Sequence, residues 1–411
     1  MPVHTLTAGG MTMDQVTELA LRRAGAGSLS EFQAREGIAA AGELDARTRE
    51  ALAPYALGYQ IVRVRRGDTF YHLAREYGTT AAAVAAANPR ARPENLRVGS
   101  LLVVPFGFSL VPDDMPVTSG LLDVIVRGLT ARYPFVRAEP IGFSRAGRRL
   151  WMLRAGTGAR RALYNASHHA NEFITTSVTL KFFEQLCAAF VAGGSIFGQD
   201  ARGLLARTTL DFMPMVNPDG VDLVLGAATE AETAAAKTLA SSYPDIPFPD
   251  GWKANLAGVD LNLQYPAGWE QAREIKFEQG YTRPGPRDFV GPAVLSEPES
   301  AALYAYTQAV QPDLTLSYHT QGRVIYWRFA GIEPPRGEQI GRKFSAVSGY
   351  ALEDTPYASG FAGYKDYFIQ EFDRPGYTIE CGEGENPLPI AQLGEIYENN
   401  LGILTLGLAE A

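Results

Sequence analysis

Cysteine is nearly absent from this chain. Cys187 and Cys381 are the only two in 411 residues, and neither stands at metal-ligand spacing. That excludes a disulfide framework and leaves the redox compartment open. An excess of basic charge is lacking too: the formal net charge is −8, whereas a duplex nucleic-acid binder needs a basic face. Long apolar runs are missing. The most apolar stretch, 101–111, is short and broken by Pro105 and Gly107, so no membrane span is expected. Residues Met1 to Gly10 have no basic segment leading into an apolar one, so no standard secretory signal is read there. Histidine is scarce, with five in the whole chain, which makes the placing of each informative. The rest is ordinary: 46% hydrophobic and 20% charged residues describe a globular protein, and the length favours two or more domains.

Three blocks separate along the chain. Residues 1–57 read as short helices, with Ser28 and Glu31 spaced for a capping box. The runs 29–36 and 42–52 resemble the end of a helical peptidoglycan-binding module whose glycine-rich first half is missing. Residues 58–106 read as βααβ. Tyr59 to Val64 alternates like a strand, Asp68 or Thr69 caps a first helix that stops at Gly78, and Thr80 starts a second that stops at Asn88-Pro89. The punctuation Gly67-Asp68-Thr69, Asn88-Pro89 and Val98-Gly99 through Val104-Pro105 resembles a LysM domain, which implies binding to the glycan of peptidoglycan or chitin. A proline-rich linker follows. Residues 115–411 alternate strands (161–165, 208–215, 314–318, 376–381) with helices (176–192, 297–309). That alternation predicts an α/β fold, a central sheet flanked by helices.

The candidate chemistry gathers at the ends of these strands, where open α/β sheets place their ligands. His169 and Glu172 form a His-x-x-Glu pair that one turn can point the same way, and His319 follows far downstream. Together they make a His₂Glu set with a fourth position left for water, the form of a catalytic zinc site. His168 competes for the first place, but only His169 stands three before Glu172. Glu380 interrupts the apolar strand Tyr377-Thr378-Ile379, and a carboxylate there is either salt-bridged or poised as a base. Asp260 can fix a ligand histidine's tautomer or be a plain turn residue.

Taken in order, His-Ala-Asn-Glu (169–172), Asn-Pro-Asp-Gly (217–220), Gly-Val-Asp-Leu-Asn (258–262), Ser-Tyr-His-Thr (317–320) and Tyr-Thr-Ile-Glu (377–380) resemble the zinc metallocarboxypeptidases of the carboxypeptidase A type. The whole chain is most similar to their LysM-bearing γ-D-glutamyl-L-diamino acid peptidases. The resemblance implies one zinc ion on His169, Glu172 and His319, Glu380 as general base, and Asp260 behind the first histidine. It gives Lys253, where the family often has arginine, the oxyanion, and it gives Asn262 and Tyr357 contacts with substrate. One position departs. The exopeptidases follow the asparagine with an arginine that grips a terminal carboxylate; here Leu263 follows Asn262. That argues against C-terminal trimming and for a γ-linked or side-chain carboxylate, with Arg283, Arg287 and Lys365 as unranked cations to receive it.

The expected activity is therefore hydrolysis of the γ-D-glutamyl–diamino acid bond of peptidoglycan stem peptides, with LysM holding the wall glycan. The rivals are ordinary carboxypeptidase trimming, a zinc deacylase of N-acyl amino acids, and a wall-binding protein with an inactive peptidase domain. The expected location is the cell wall or outside the cell without a standard signal, the alternative being cytoplasmic with release in sporulation or lysis. Nothing in the sequence sets an oligomeric state.

Overall fold

The computed structural model describes residues 14–39 and 42–411, with the backbone alone of 7–8 and 11–12. Most of Met1 to Gly10 lies outside the described residues. The chain forms two compact units, Met1–Leu110 with Gly120–Phe135 and Val111–Ser119 with Val136–Ala411. The segment 120–135, inside the expected 115–411 block, thus clusters with the first unit.

In the first unit, helices Gln15–Arg23, Leu29–Glu36 and Ala46–Leu57 bury Leu21, Leu29, Phe32 and Leu52. The capping box at Ser28 is only half made. Ser28 accepts from the Glu31 amide at 3.2 Å, but the Glu31 carboxylate turns to the Gly27 amide at 2.8 Å. The βααβ pattern is present: Tyr59–Arg63 pairs antiparallel with Leu101–Pro105, around helices Phe70–Glu76 and Ala81–Ala87. Thr69 and Thr80 cap those helices. Asn88 joins the second helix to the returning strand, donating to the Val103 carbonyl at 2.6 Å and accepting from its amide at 2.9 Å. Val64, Phe70, Leu73, Val84, Leu102 and Val104 fill the core.

The second unit is built on an eight-stranded mixed sheet. Its strands are β1 (Arg137–Phe143), β2 (Arg149–Ala155), β3 (Arg160–Ala166), β4 (Thr208–Met213), β5 (Leu314–His319), β6 (Val324–Tyr326), β7 (Ala351–Glu353) and β8 (Gly376–Glu380). They run in the order β7-β6-β8-β5-β3-β4-β2-β1. The central four, β8, β5, β3 and β4, are parallel, and β4 and β5 are buried at every position. A strand covered on both faces usually reads as a continuous apolar run, but here Thr208, Thr209, Asp211, Thr315 and Ser317 are buried along with the apolar residues. The long helices Ile174–Ala192 and Leu393–Glu410 carry many buried side chains. Because β3, β5 and β8 are parallel, their C-terminal ends open at one edge of the sheet. No helix among the described residues is long and apolar enough to cross a membrane.

Candidate active site

Strand β3 hands the chain to the site through a sharp bend. Ser167 sits at φ 51, and its hydroxyl is held by Thr175 at 3.0 Å and Thr176 at 2.8 Å. The chain then enters a 3₁₀ turn, Ala170–Glu172, in which residues three apart eclipse. His169 Nδ1 therefore lies 2.9 Å from Glu172 Oε1. His319 is the last residue of β5, and its Nδ1 lies 3.0 Å from Glu172 Oε2 and 3.2 Å from His169 Nδ1. The ligand atoms of all three residues fall within 4.8 Å of one another.

The donor set fits a metal. Asp260 Oδ1 lies 3.2 Å from His169 Nε2, which places the proton of a neutral ring on Nε2 and leaves the lone pair on Nδ1. Two buried imidazoles and a carboxylate then bring their ligand atoms together. The electrostatics agree. Burial opposes charge on His169, yet Glu172 and then Asp260 outweigh it and Lys253, so the ring is pushed up to about 9. Burial likewise disfavours the Glu172 carboxylate, and His169 with Lys253 nonetheless holds it well below the usual range. The pocket draws positive charge inward, which a divalent ion supplies.

His168 is not part of the set. It is fully buried, its Nε2 meets the Tyr265 hydroxyl at 3.0 Å, and its ring stacks on His319 at 5.6 Å. Burial, with His319 and His169 adding, holds it well below the usual range.

Glu380 ends β8 and is the register partner of His319, so the two side chains leave adjacent strands on one face. Burial and then Glu172 push its carboxyl up to about 8, against Lys253 and His169. Lys253 also reaches the cluster, its Nζ 3.3 Å from Glu172 Oε1. Burial works against its charge, but Glu172 and Asp260 hold it above the usual range. Its backbone is placed by the Asn-Pro-Asp-Gly motif. Asn217 donates to the carbonyls of His168 at 3.2 Å, Lys253 at 3.4 Å and Ala254 at 3.0 Å. A Cβ on Gly220 would stand 2.6 Å from the Ala254 carbonyl. The motif is a brace.

The other expected residues have their own partners. The Asn262 side-chain carbonyl accepts from the Tyr364 amide at 3.0 Å, and the Asn262 backbone amide donates to Asp260 Oδ1 at 3.1 Å. Tyr357 is 67% exposed and packs edge-on to Phe361 at 5.2 Å. Leu263 is buried among Trp269, Ala272, Val290 and Ala362. Lys365 is no surface charge: it is buried, with Nζ on the Arg328 carbonyl at 2.8 Å, the Thr355 hydroxyl at 3.1 Å and Asp366 at 2.6 Å. Arg283 is exposed.

One residue escaped the sequence reading. Asp288, at φ 62, donates its amide to Asp260 Oδ2 at 3.4 Å, and its carboxylate pairs with Lys276 at 2.7 Å and Arg287 at 2.6 Å. An aspartate tolerates the left-handed region better than most residues, but no periodicity marks it.

A family profile described as zinc carboxypeptidase matches residues 123–402, and one described as LysM domain matches 62–105. The chain belongs to the zinc carboxypeptidase family. This zinc carboxypeptidase homologue is a metallopeptidase and zinc is its metal, which removes the reading as a non-enzymatic binder. Gamma-D-glutamyl-L-diamino acid endopeptidase 1 of Lysinibacillus sphaericus is 42% identical to it over 283 residues, 69% of this chain and 70% of that protein. Solved structures share the fold. Bovine thrombin-activatable fibrinolysis inhibitor superposes with a TM-score of 0.55 at 15% identity, covering 72% of this chain and 98% of its own. Carboxypeptidase A of Helicoverpa armigera gives 0.54 at 18% identity, covering 83% of this chain and 80% of its own.

Proposed function

We propose that this metallopeptidase hydrolyses the γ-D-glutamyl–diamino acid bond of peptidoglycan stem peptides, and that its LysM domain holds it on the wall glycan. The observation that carries this reading is a complete His₂Glu cluster with Glu380 beside it, on a chain where apolar, buried Leu263 stands in place of the arginine that grips a terminal carboxylate. The Lysinibacillus relative, named for that bond, supports it.

His169, Glu172 and His319 would hold the zinc, which supplies Lewis acidity to the carbonyl and lowers the pKa of water. Glu380 takes a proton from the attacking water, whose oxygen joins the carbonyl carbon. Lys253 offers positive charge to the carbonyl oxygen as it turns into an oxyanion. The C–N bond then breaks, and Glu380 passes its proton to the leaving amine. Asp260 holds His169 in one tautomer throughout, and Tyr357 closes over bound substrate from its exposed loop. LysM adds no catalytic contact. It raises the enzyme's concentration at the wall, where the protein acts.

Defined muropeptides digested with the purified protein test this. Mass analysis is expected to find new termini at the γ-D-glutamyl bond, and Glu380→Gln is expected to slow their appearance by roughly 10²–10⁴-fold. Cleavage elsewhere in the stem, or an unimpaired Glu380→Gln enzyme, would refute the assignment.

A further inference from the structure

Of the three cations left unranked by sequence, the backbone carries Arg287 to the edge of the metal cluster. The Pro286 carbonyl accepts the amides of Lys253 at 2.7 Å and Ala254 at 2.9 Å. On the other side, the Asp288 amide reaches Asp260 Oδ2 at 3.4 Å, and the Asp260 amide reaches the Phe289 carbonyl at 2.9 Å. Arg287 is therefore suspended between the segment bearing Lys253 and the segment bearing Asp260. Its charge is felt by both.

Its guanidinium is also oriented with one edge free. Asp288 holds Nε at 2.6 Å and is itself anchored by buried Lys276 at 2.7 Å. The two terminal nitrogens have no partner among the described residues, and the side chain keeps 39% of its surface exposed. A fork held at Nε presents its outer pair of N–H groups to a carboxylate.

We propose that Arg287 binds the free α-carboxylate of the γ-linked glutamyl residue on the acyl side of the scissile bond, and so selects a γ-glutamyl over an ordinary α-peptide acyl group. This rests on the function proposed above. In a γ-linked residue that carboxylate lies four carbon–carbon bonds from the reacting carbonyl carbon, roughly 5 Å when extended. An α-linked residue has no negative charge there unless its side chain brings one. Lys253 faces the cluster and serves the carbonyl oxygen; Arg287, joined to it through Pro286, meets the next negative charge outward. Leu263 offers no charge, and Lys365 has spent its own on buried partners.

The test compares two peptides with the zinc-loaded full chain: L-alanyl-γ-D-glutamyl-L-lysine and the same peptide with the glutamyl α-carboxylate amidated. The wild type is expected to favour the carboxylate in kcat/KM by roughly ten- to a hundred-fold. Arg287→Gln is expected to bring that ratio close to one, through loss on the carboxylate peptide alone. Arg287→Lys is expected to keep part of the preference, since a point charge remains without the fork. Zinc content and melting temperature of both variants check that the cluster survives, with Asp288 still held by Lys276. A ratio unchanged in Arg287→Gln, or equal losses on both peptides, overturns the role of Arg287 and leaves γ-glutamyl cleavage standing. If the wild type cleaves neither peptide, the proposed function falls and takes this assignment with it.

Discussion

Asp260→Asn isolates what the residue behind His169 contributes. Asp260 is 3% exposed and accepts three donors: His169 Nε2 at 3.2 Å, the Asn262 amide at 3.1 Å and the Asp288 amide at 3.4 Å. Asparagine can keep the first two on its oxygen. Two things change. The negative charge that supports a zinc-bound imidazole is lost in a buried setting where little water screens it. The new NH₂ group also faces the Asp288 amide, leaving two donors opposed. Removing a partner of this kind lowers metal affinity by roughly 10- to 100-fold, or about 1.4–2.8 kcal/mol. Competition against a chelator of known zinc affinity reads the first effect, and melting of the zinc-free protein reads the second separately. The expected result is a zinc dissociation constant at least about ten times weaker, in a protein that still folds. An affinity within about two-fold of wild type, far below the effect expected of such a partner, would sink the argument that Asp260 tunes His169 as a ligand.

Two further outcomes follow from groups outside the cluster. Burial pushes the Glu299 carboxyl up to about 7 from an ordinary 4.5, with Asp219 and Glu297 adding and the Arg145 amide opposing. Its folded pKa lies above the unfolded one, so its stabilising contribution is complete below pH 4.5 and is lost as pH rises through about 7. The loss amounts to about 3 kcal/mol at most. Denaturant melts should therefore show Glu299→Gln gaining on wild type between pH 5 and pH 8; a difference that does not move with pH contradicts the assignment. In the βααβ domain, Asn88→Ala removes both links to Val103 and the one to the Val84 carbonyl. A loss of roughly 1–3 kcal/mol is expected, with unaltered cleavage of a small soluble peptide. Reduced turnover of that peptide would contradict the separation of the two roles.

Much of the site was legible because its chemistry is short-range. His169 and Glu172 share one turn, so spacing alone predicts their meeting. The strand ends bearing His319 and Glu380 are visible as apolar runs that stop at a polar residue. The parallel register that sets those two side by side is not written in either strand, because it depends on which neighbours the sheet chooses. Leu263 could be read as a missing charge from its position, and the structure shows its side chain packed in an apolar cluster. Lys365 went the other way. A lysine beside an aspartate reads as solvated, and only the fold shows Nζ turned inward on the Arg328 carbonyl and Asp366.

The sequence by itself determined the elements and the kind of chemistry: a helical and βααβ beginning, an α/β block, scarce histidines at strand ends, and a glutamate ending an apolar strand. These follow from local periodicity, capping and spacing, which a linear reading can see. Tertiary structure alone decided which of Arg283, Arg287 and Lys365 comes near the cluster. Arg287 is brought between Lys253 and Asp260 by backbone pairings of Pro286 and Phe289, and it is oriented by Asp288 and Lys276. Contacts between segments far apart in the chain leave no period or motif behind, because the pairing is paid for by the whole fold rather than by neighbouring residues.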